Sequence, residues 1–254
     1  MKMNVKSAAL IILIISTYTF LGCKSTKVNE TQSDNSELIE KKFSMDGQKL
    51  NFAFESGSAH NHPTFAIWIE TPNGTMIQTL FVTKSIASGY FFYGDAGDGK
   101  WLKVPGVSVR PAALPYWLHR REVLNPNQSH MPTPESPVPD AYTGATPHSS
   151  FQLQAISSKR MDNRIRVFVE LNQPWDWNKI WTNDKFPGDS DYKTSAQPSL
   201  IYSVDIDLSD PMQYYVLNPI GHGHPSGKDG RLYTDISGFT SALDIFKRIS
   251  LTIN

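Results

Sequence analysis

The sequence predicts an all-β fold: an immunoglobulin-like antiparallel β-sandwich with long loops and one or two short helices. Three observations lead there. Short segments alternating apolar and polar residues recur along the chain. Turn formers separate them, with 17 prolines and 16 glycines spread through the sequence. Stretches with a sustained helical period are few, which favours a sandwich over a bundle or an α/β fold.

Each element has its own signal. Residues 50–54 alternate as a half-buried strand should, and 65–70 form a more continuous apolar strand. Thr71-Pro72-Asn73-Gly74 then reads as a turn, with 76–82 returning as the second arm of a hairpin. Residues 94–100 are rich in Gly and Asp. Asp95, Asp98 and Gly99 do not have the spacing of an EF-hand loop, so an ordinary turn is expected. Pro111 opens a helical candidate over 112–121. Residues 125–139 carry five prolines and read as a long extended loop. Clean alternation over 151–156 and 165–171 predicts a second hairpin around Asp162-Asn163. Further strands are expected at 200–208, 214–217 and 249–253, a loop at 221–230, and a short helix starting within 237–247.

The amino terminus has the form of an export signal. Lys2 and Lys6 precede an apolar run over 8–20, too short to span a bilayer. Phe20-Leu21-Gly22-Cys23 resembles a bacterial lipobox, with Phe20 in place of the usual Leu and Cys23 as the lipidated residue. The expected organisation is a lipoprotein signal peptide over 1–22, a flexible polar tether over 23–42, and one sandwich domain over 43–254. The chain would then be lipid-anchored to a bacterial membrane, the expected site being the outer membrane facing the periplasm.

Composition excludes several functions. Formal net charge is zero, which gives no general attraction to nucleic acid. A single cysteine allows no internal disulfide, no thiolate-held iron–sulfur cluster and no C-x-x-C-H haem attachment. There is no G-x-S-x-G elbow, no H-E-x-x-H, no P-loop and no dinucleotide fingerprint. A flavin esterified to a hydroxyl remains compatible with all of this.

Residues 140–146 carry the most specific pattern. Asp140-Ala141-Tyr142-Thr143-Gly144-Ala145-Thr146 has the form Asp-x-x-[Ser/Thr]-Gly-Ala-[Ser/Thr]. That form resembles the acceptor sequence on which an FAD:protein FMN transferase places covalent FMN, at the last hydroxyl. The plain alternative is a Thr-Gly turn with a hydroxyl cap ahead of a strand. If Thr146 is the acceptor, Gly144 and Ala145 keep the backbone slim for a transferase. By the same resemblance, Asp140 and Thr143 help engage that enzyme. Tyr142, Tyr116, Trp117, or the cluster Trp175, Trp177 and Trp181 could stack on an isoalloxazine. The ordinary reading of that cluster is that two of its three members are core or loop packing. Arg110, Arg120, Arg121 or His148 could pair with the phosphate.

Two other constellations compete. His222 and His224 alternate in an extended segment and could face one metal, alone or with His60 and His62. Two ligands are too few for a structural zinc, and loop histidines are the ordinary reading. Asp205 and Asp207 alternate too, as a solvated strand face does.

Several blocks together carry a family resemblance: residues 64–80, Arg110-Pro111-Ala112-Ala113-Leu114-Pro115-Tyr116-Trp117, the 140–146 motif, and Asn172-Gln173-Pro174-Trp175-Asp176-Trp177-Asn178. From about Asn51 onward the chain resembles bacterial predicted periplasmic proteins of the domain-of-unknown-function family 2271. The resemblance implies an extracytosolic electron-transfer flavoprotein, working with a flavin transferase and a membrane-bound redox protein rather than turning over its own substrate. The alternative expectation is a non-catalytic surface sandwich that binds a glycan or protein through Trp-rich loops.

Overall fold

The computed structural model describes residues 36–92, 104–161 and 163–254. The leader with Cys23 and the Gly/Asp-rich run at 94–100 lie outside the described residues.

The chain is all-β, with two short helices. Its strands are β1 (Glu37–Lys42), β2 (Lys49–Ser56), β3 (Thr64–Glu70), β4 (Met76–Thr83), β5 (Tyr90–Phe91), β6 (Gly106–Val107), β7 (Thr143–Gly144), β8 (Phe151–Ile156), β9 (Arg164–Asn172), β10 (Leu200–Asp207), β11 (Tyr215–His222) and β12 (Phe246–Ile253). The helices are α1 (Lys84–Ser88) and α2 (Pro115–Arg120). Ten strands form one curled sheet in the order β1-β8-β2-β12-β11-β10-β9-β3-β4-β7, and β5 and β6 form a small separate ribbon. Pairing is antiparallel except for β1 with β8 and β4 with β7. The two layers of this sandwich are therefore the two halves of one hydrogen-bonded sheet.

The curl is closed by apolar side chains that alternate inward. In β2 and β8 every second residue is buried, and these meet the inward faces of β3, β4 and β9 in one core. Phe54 of β2 stacks on Phe151 of β8 at 4.4 Å and reaches Phe65 of β3 at 5.7 Å, which joins the two halves. A second cluster covers the outer face of β3 and β9. There Trp68 and Phe168 stack at 5.0 Å beneath Tyr116 and Trp117 of α2. Burial on both faces explains why β3 reads as a continuous apolar run rather than an alternating one.

Helix α2 starts at Pro115, not after Pro111, and proline at the first position leaves no unsatisfied N–H there. The next two N–H groups are taken by the fully buried carboxylate of Glu170 from β9. It accepts from the Tyr116 N–H at 3.1 Å, the Trp117 N–H at 2.7 Å and the Ser199 hydroxyl at 2.6 Å. A side chain from a distant strand caps this helix.

The hairpin of β3 and β4 forms as expected, with Gly74 at φ +87° in its turn. The hairpin expected of 151–156 and 165–171 does not form. β8 pairs with β1 and β2, while β9 pairs with β3 and β10. Both strands aim apolar residues at the same core, but from opposite halves of the sheet. The expected tether also ends early. Residues 37–42 form β1, whose mostly exposed side chains look like linker while its backbone pairs in register with β8. Only a 3-10 turn (Ser241–Asp244) forms within 237–247, because Phe246 and Lys247 already belong to β12. β11 extends to His222 and takes the start of the expected 221–230 loop into the sheet.

Candidate functional site

The 140–146 motif lies where the two ends of the ten-stranded sheet meet. A 3-10 turn (Asp140–Tyr142) leads into β7, which adds to β4 with Thr143 opposite Val82 and Gly144 opposite Thr83. Across the seam, Lys41 of β1 donates to the Thr143 carbonyl, and Phe43 stacks on Tyr142 at 4.8 Å. Asp140 is exposed and pairs with Lys84 at 3.8 Å. The buried Thr143 hydroxyl donates to the Asp140 carbonyl at 3.2 Å. Gly144 is required locally: a Cβ there would lie 2.5 Å from Cε2 of Phe81. The absence of a side chain at 144 therefore has a packing cause, independent of any approaching enzyme.

Gly144, Ala145, Thr146 and His148 form one wall of a cavity of about 1370 Å³. Ligand pockets commonly measure about 300–1,000 Å³, so there is room for an organic cofactor. The segment before β3 contributes Asn61 and His62, the start of α1 contributes Lys84 and Ser85, and the β5 region contributes Tyr90, Phe91 and Phe92. Arg110, Pro174, Trp175, Lys193 and Thr194 also line it. Hydrogen bonds from two buried side chains fix two of these segments. Asn172 donates to the Ser195 hydroxyl and to the Gln197 carbonyl, both at 2.9 Å, which holds the loop bearing Lys193 against the end of β9. Gln173 accepts from the Asn61 N–H at 2.7 Å and donates to the Ala59 carbonyl at 2.9 Å, which holds the segment bearing His62.

The described lining has one sign of charge. Lys84, Arg110 and Lys193 are cationic, and no carboxylate is among the described lining residues. Arg110 stacks on Phe91, its guanidinium carbon 3.7 Å from the ring centroid. Burial lowers its pKa to about 10, which leaves it cationic at neutral pH. Two imidazoles line the same cavity: Nε2 of His62 is 2.8 Å from Nδ1 of His148. The nearby His60 packs edge-on against Phe246, and burial, then His62, lowers its pKa. Two of the five described non-glycine residues with positive φ line this cavity. Trp175 (φ +67°) and His62 (φ +55°) are non-glycine residues in the left-handed region, a conformation that clusters at ligand sites. Aromatic faces and cations together suit a flat, anionic aromatic group.

The expected site residues are only partly brought together. Thr146, Gly144, Ala145, His148, Arg110 and Trp175 share the cavity. Tyr142 is instead spent on Phe43, and Tyr116 and Trp117 are buried under α2. Arg120 lies over Tyr116 and pairs with Glu70, while Arg121 lies over Trp117. The tryptophans of the 175–181 run diverge: Trp175 is 68% exposed, Trp177 packs edge-on against Tyr192, and Trp181 is buried against Phe239. His222 is a core residue stacked on Tyr233, with Nδ1 facing the Gly223 carbonyl, and His224 accepts from the Ser226 N–H. Among the described residues, no group of three or more His, Cys, Asp or Glu converges as a metal site would require. Asp205 and Asp207 pair with Arg166 and Arg164 on a solvated face.

Lys84, Lys193, the Tyr90–Phe91–Phe92 aromatics and the His62–His148 contact were not found from sequence. His62 and His148 are 86 residues apart, and no local pattern links them. Comparison with protein-family models, with curated proteins and with solved structures finds no match, so the site is read from its own geometry.

Proposed function

We propose that Thr146 carries a covalently attached FMN in this cavity, and that the protein relays electrons between a membrane-bound redox partner and an acceptor. The observation that carries the reading is the position of Thr146. The last hydroxyl of the acceptor-like motif lies on the wall of a large cavity lined by aromatics and cations, without a described carboxylate.

Attachment balances as a group transfer. The Thr146 Oγ attacks the FMN-side phosphorus of FAD, the pyrophosphate bond breaks, AMP leaves, and the hydroxyl proton is released. The phosphodiester keeps one negative charge, which Lys84, Arg110 and Lys193 are suited to neutralise. Phe92 and Trp175 offer exposed rings to orient a flat group and exclude water. When bound, the flavin supplies the reversible electron uptake, and the chain supplies position and electrostatics. The resemblance to the periplasmic family named above, the lipid anchor at Cys23 and the transferase as partner belong to the same proposal.

The test is co-expression of the full chain with an active FAD:protein FMN transferase, followed by intact mass and in-gel flavin fluorescence. One FMN adduct is expected on the parent and none on Thr146→Ala. A second reading, in which the exposed rim binds a glycan or protein, draws on Trp175 and on Phe92, which is 82% exposed. Glycan-dependent quenching of tryptophan fluorescence in a chain that never acquires flavin would favour it.

A further inference from the structure

His62 stands just before β3 and His148 just after β7, yet their rings cross at 85° with centroids 4.7 Å apart. The proton order of the pair follows from its neighbours. Nδ1 of His62 lies 3.2 Å from Oδ1 of Asn61, so that nitrogen carries the hydrogen. Nε2 of His62 then accepts from the Nδ1–H of His148 at 2.8 Å. This arrangement leaves the lone pair of the chain on Nε2 of His148. An added proton goes there without breaking the contact between the rings.

The pair is held in place. His62 keeps φ +55°, a left-handed conformation that persists where the surroundings enforce it. The enforcing contact is buried Gln173, which binds the backbone of Asn61 and of Ala59. Among the described residues, His60 lies beside the pair, and Lys84, Arg110, Lys193 and Tyr90 share its cavity, with Asp140 paired to Lys84.

We propose that the His62–His148 pair is a phosphoester-binding site at the Thr146 end of the cavity, and that it takes up one proton from solvent as the anion binds. The proposal deepens the flavin reading and rests on it for the identity of the phosphoester. Connectivity supports the placement. Two residues of chain span at most about 7 Å, so a phosphate on the Thr146 hydroxyl falls within reach of His148, and both residues line the same wall. An anion within about 4–6 Å favours imidazolium and raises its pKa by about 1–3 units.

The experiment is a histidine-ring NMR titration of the full chain against pH, with no ligand, with riboflavin and with free FMN, which differ only in the phosphate. FMN should raise the His148 midpoint by about one unit, and riboflavin should leave it in place. His148→Gln should weaken free FMN about tenfold while leaving riboflavin affinity unchanged. The same midpoint under all three conditions would overturn the proposal, whether or not flavin is found on Thr146. A midpoint that moves with free FMN in a chain that is never flavinylated would sink the covalent reading and leave the phosphoester site standing.

Discussion

Phe43 and Tyr142 stack at 4.8 Å with their planes 22° apart, and this contact bridges the two ends of the ten-stranded sheet. Beside it, Lys41 donates to the carbonyl of Thr143. The motif residue expected to face a cofactor instead fastens β1 to the turn that presents Thr146. An aromatic pair of this kind contributes about 0.5–1.5 kcal/mol beyond its area. Phe43→Ala and Tyr142→Ala should each lower the urea midpoint, with a coupling of that size in the double mutant. Additive losses would show that the ring contact does not hold the seam.

Gly144 is pressed against Phe81, which itself stacks on Phe65 at 4.9 Å. Gly144→Ala should destabilise the chain by about 1–3 kcal/mol through overpacking. Adding Phe81→Leu should recover part of that loss. A Gly144→Ala protein of parental stability would return the glycine to the role the motif suggested, clearance for a transferase.

Glu170 makes α2 sensitive to pH. Burial pushes its carboxyl up to about 7, against three hydrogen bonds that favour the charged form. In the unfolded chain the group titrates near its ordinary 4.5. Because the folded value is the higher one, stability is greatest below the ordinary value and falls as pH rises to about 7, by about 3 kcal/mol. Glu170→Gln should flatten that slope. It should also cost about 1–3 kcal/mol, since the Tyr116 and Trp117 N–H groups bond to different carboxylate oxygens and the amide NH2 would face one of them. Denaturant melts from pH 4 to 8 measure both effects.

Trp175 combines exposure with a left-handed backbone. Glycine adopts that conformation freely, so Trp175→Gly should leave stability unchanged or raise it by up to about 1 kcal/mol. The same change should weaken flavin held in the cavity, seen as greater solvent quenching of its fluorescence. A stability loss above about 2 kcal/mol would mean that the indole packs structurally instead.

The strands that alternate were legible in the sequence, because β2 and β8 show one face to the core and one to solvent. β1 was not, since its place depends on backbone pairing rather than on buried side chains. The pairing of β8 with β9 was misjudged because proximity in sequence suggested a hairpin, while the shared core lies between opposite halves of the sheet. Within the site, Thr146 was visible as part of a linear pattern. Its surroundings were not, because Lys84, Phe92, His62 and Lys193 come from segments that only the curled sheet brings together. Gly144 looked like a mark of function, and its contact with Phe81 gives a packing reason that no local pattern contains.

The central claim is that the Thr146 hydroxyl holds flavin. Intact mass of the full chain after co-expression with an active FMN transferase tests it most directly. The expected result is one FMN adduct on the parent, lost in Thr146→Ala. An unmodified parent, beside a control substrate that is modified, would contradict the account and leave residues 140–146 as a turn at the seam of the sheet.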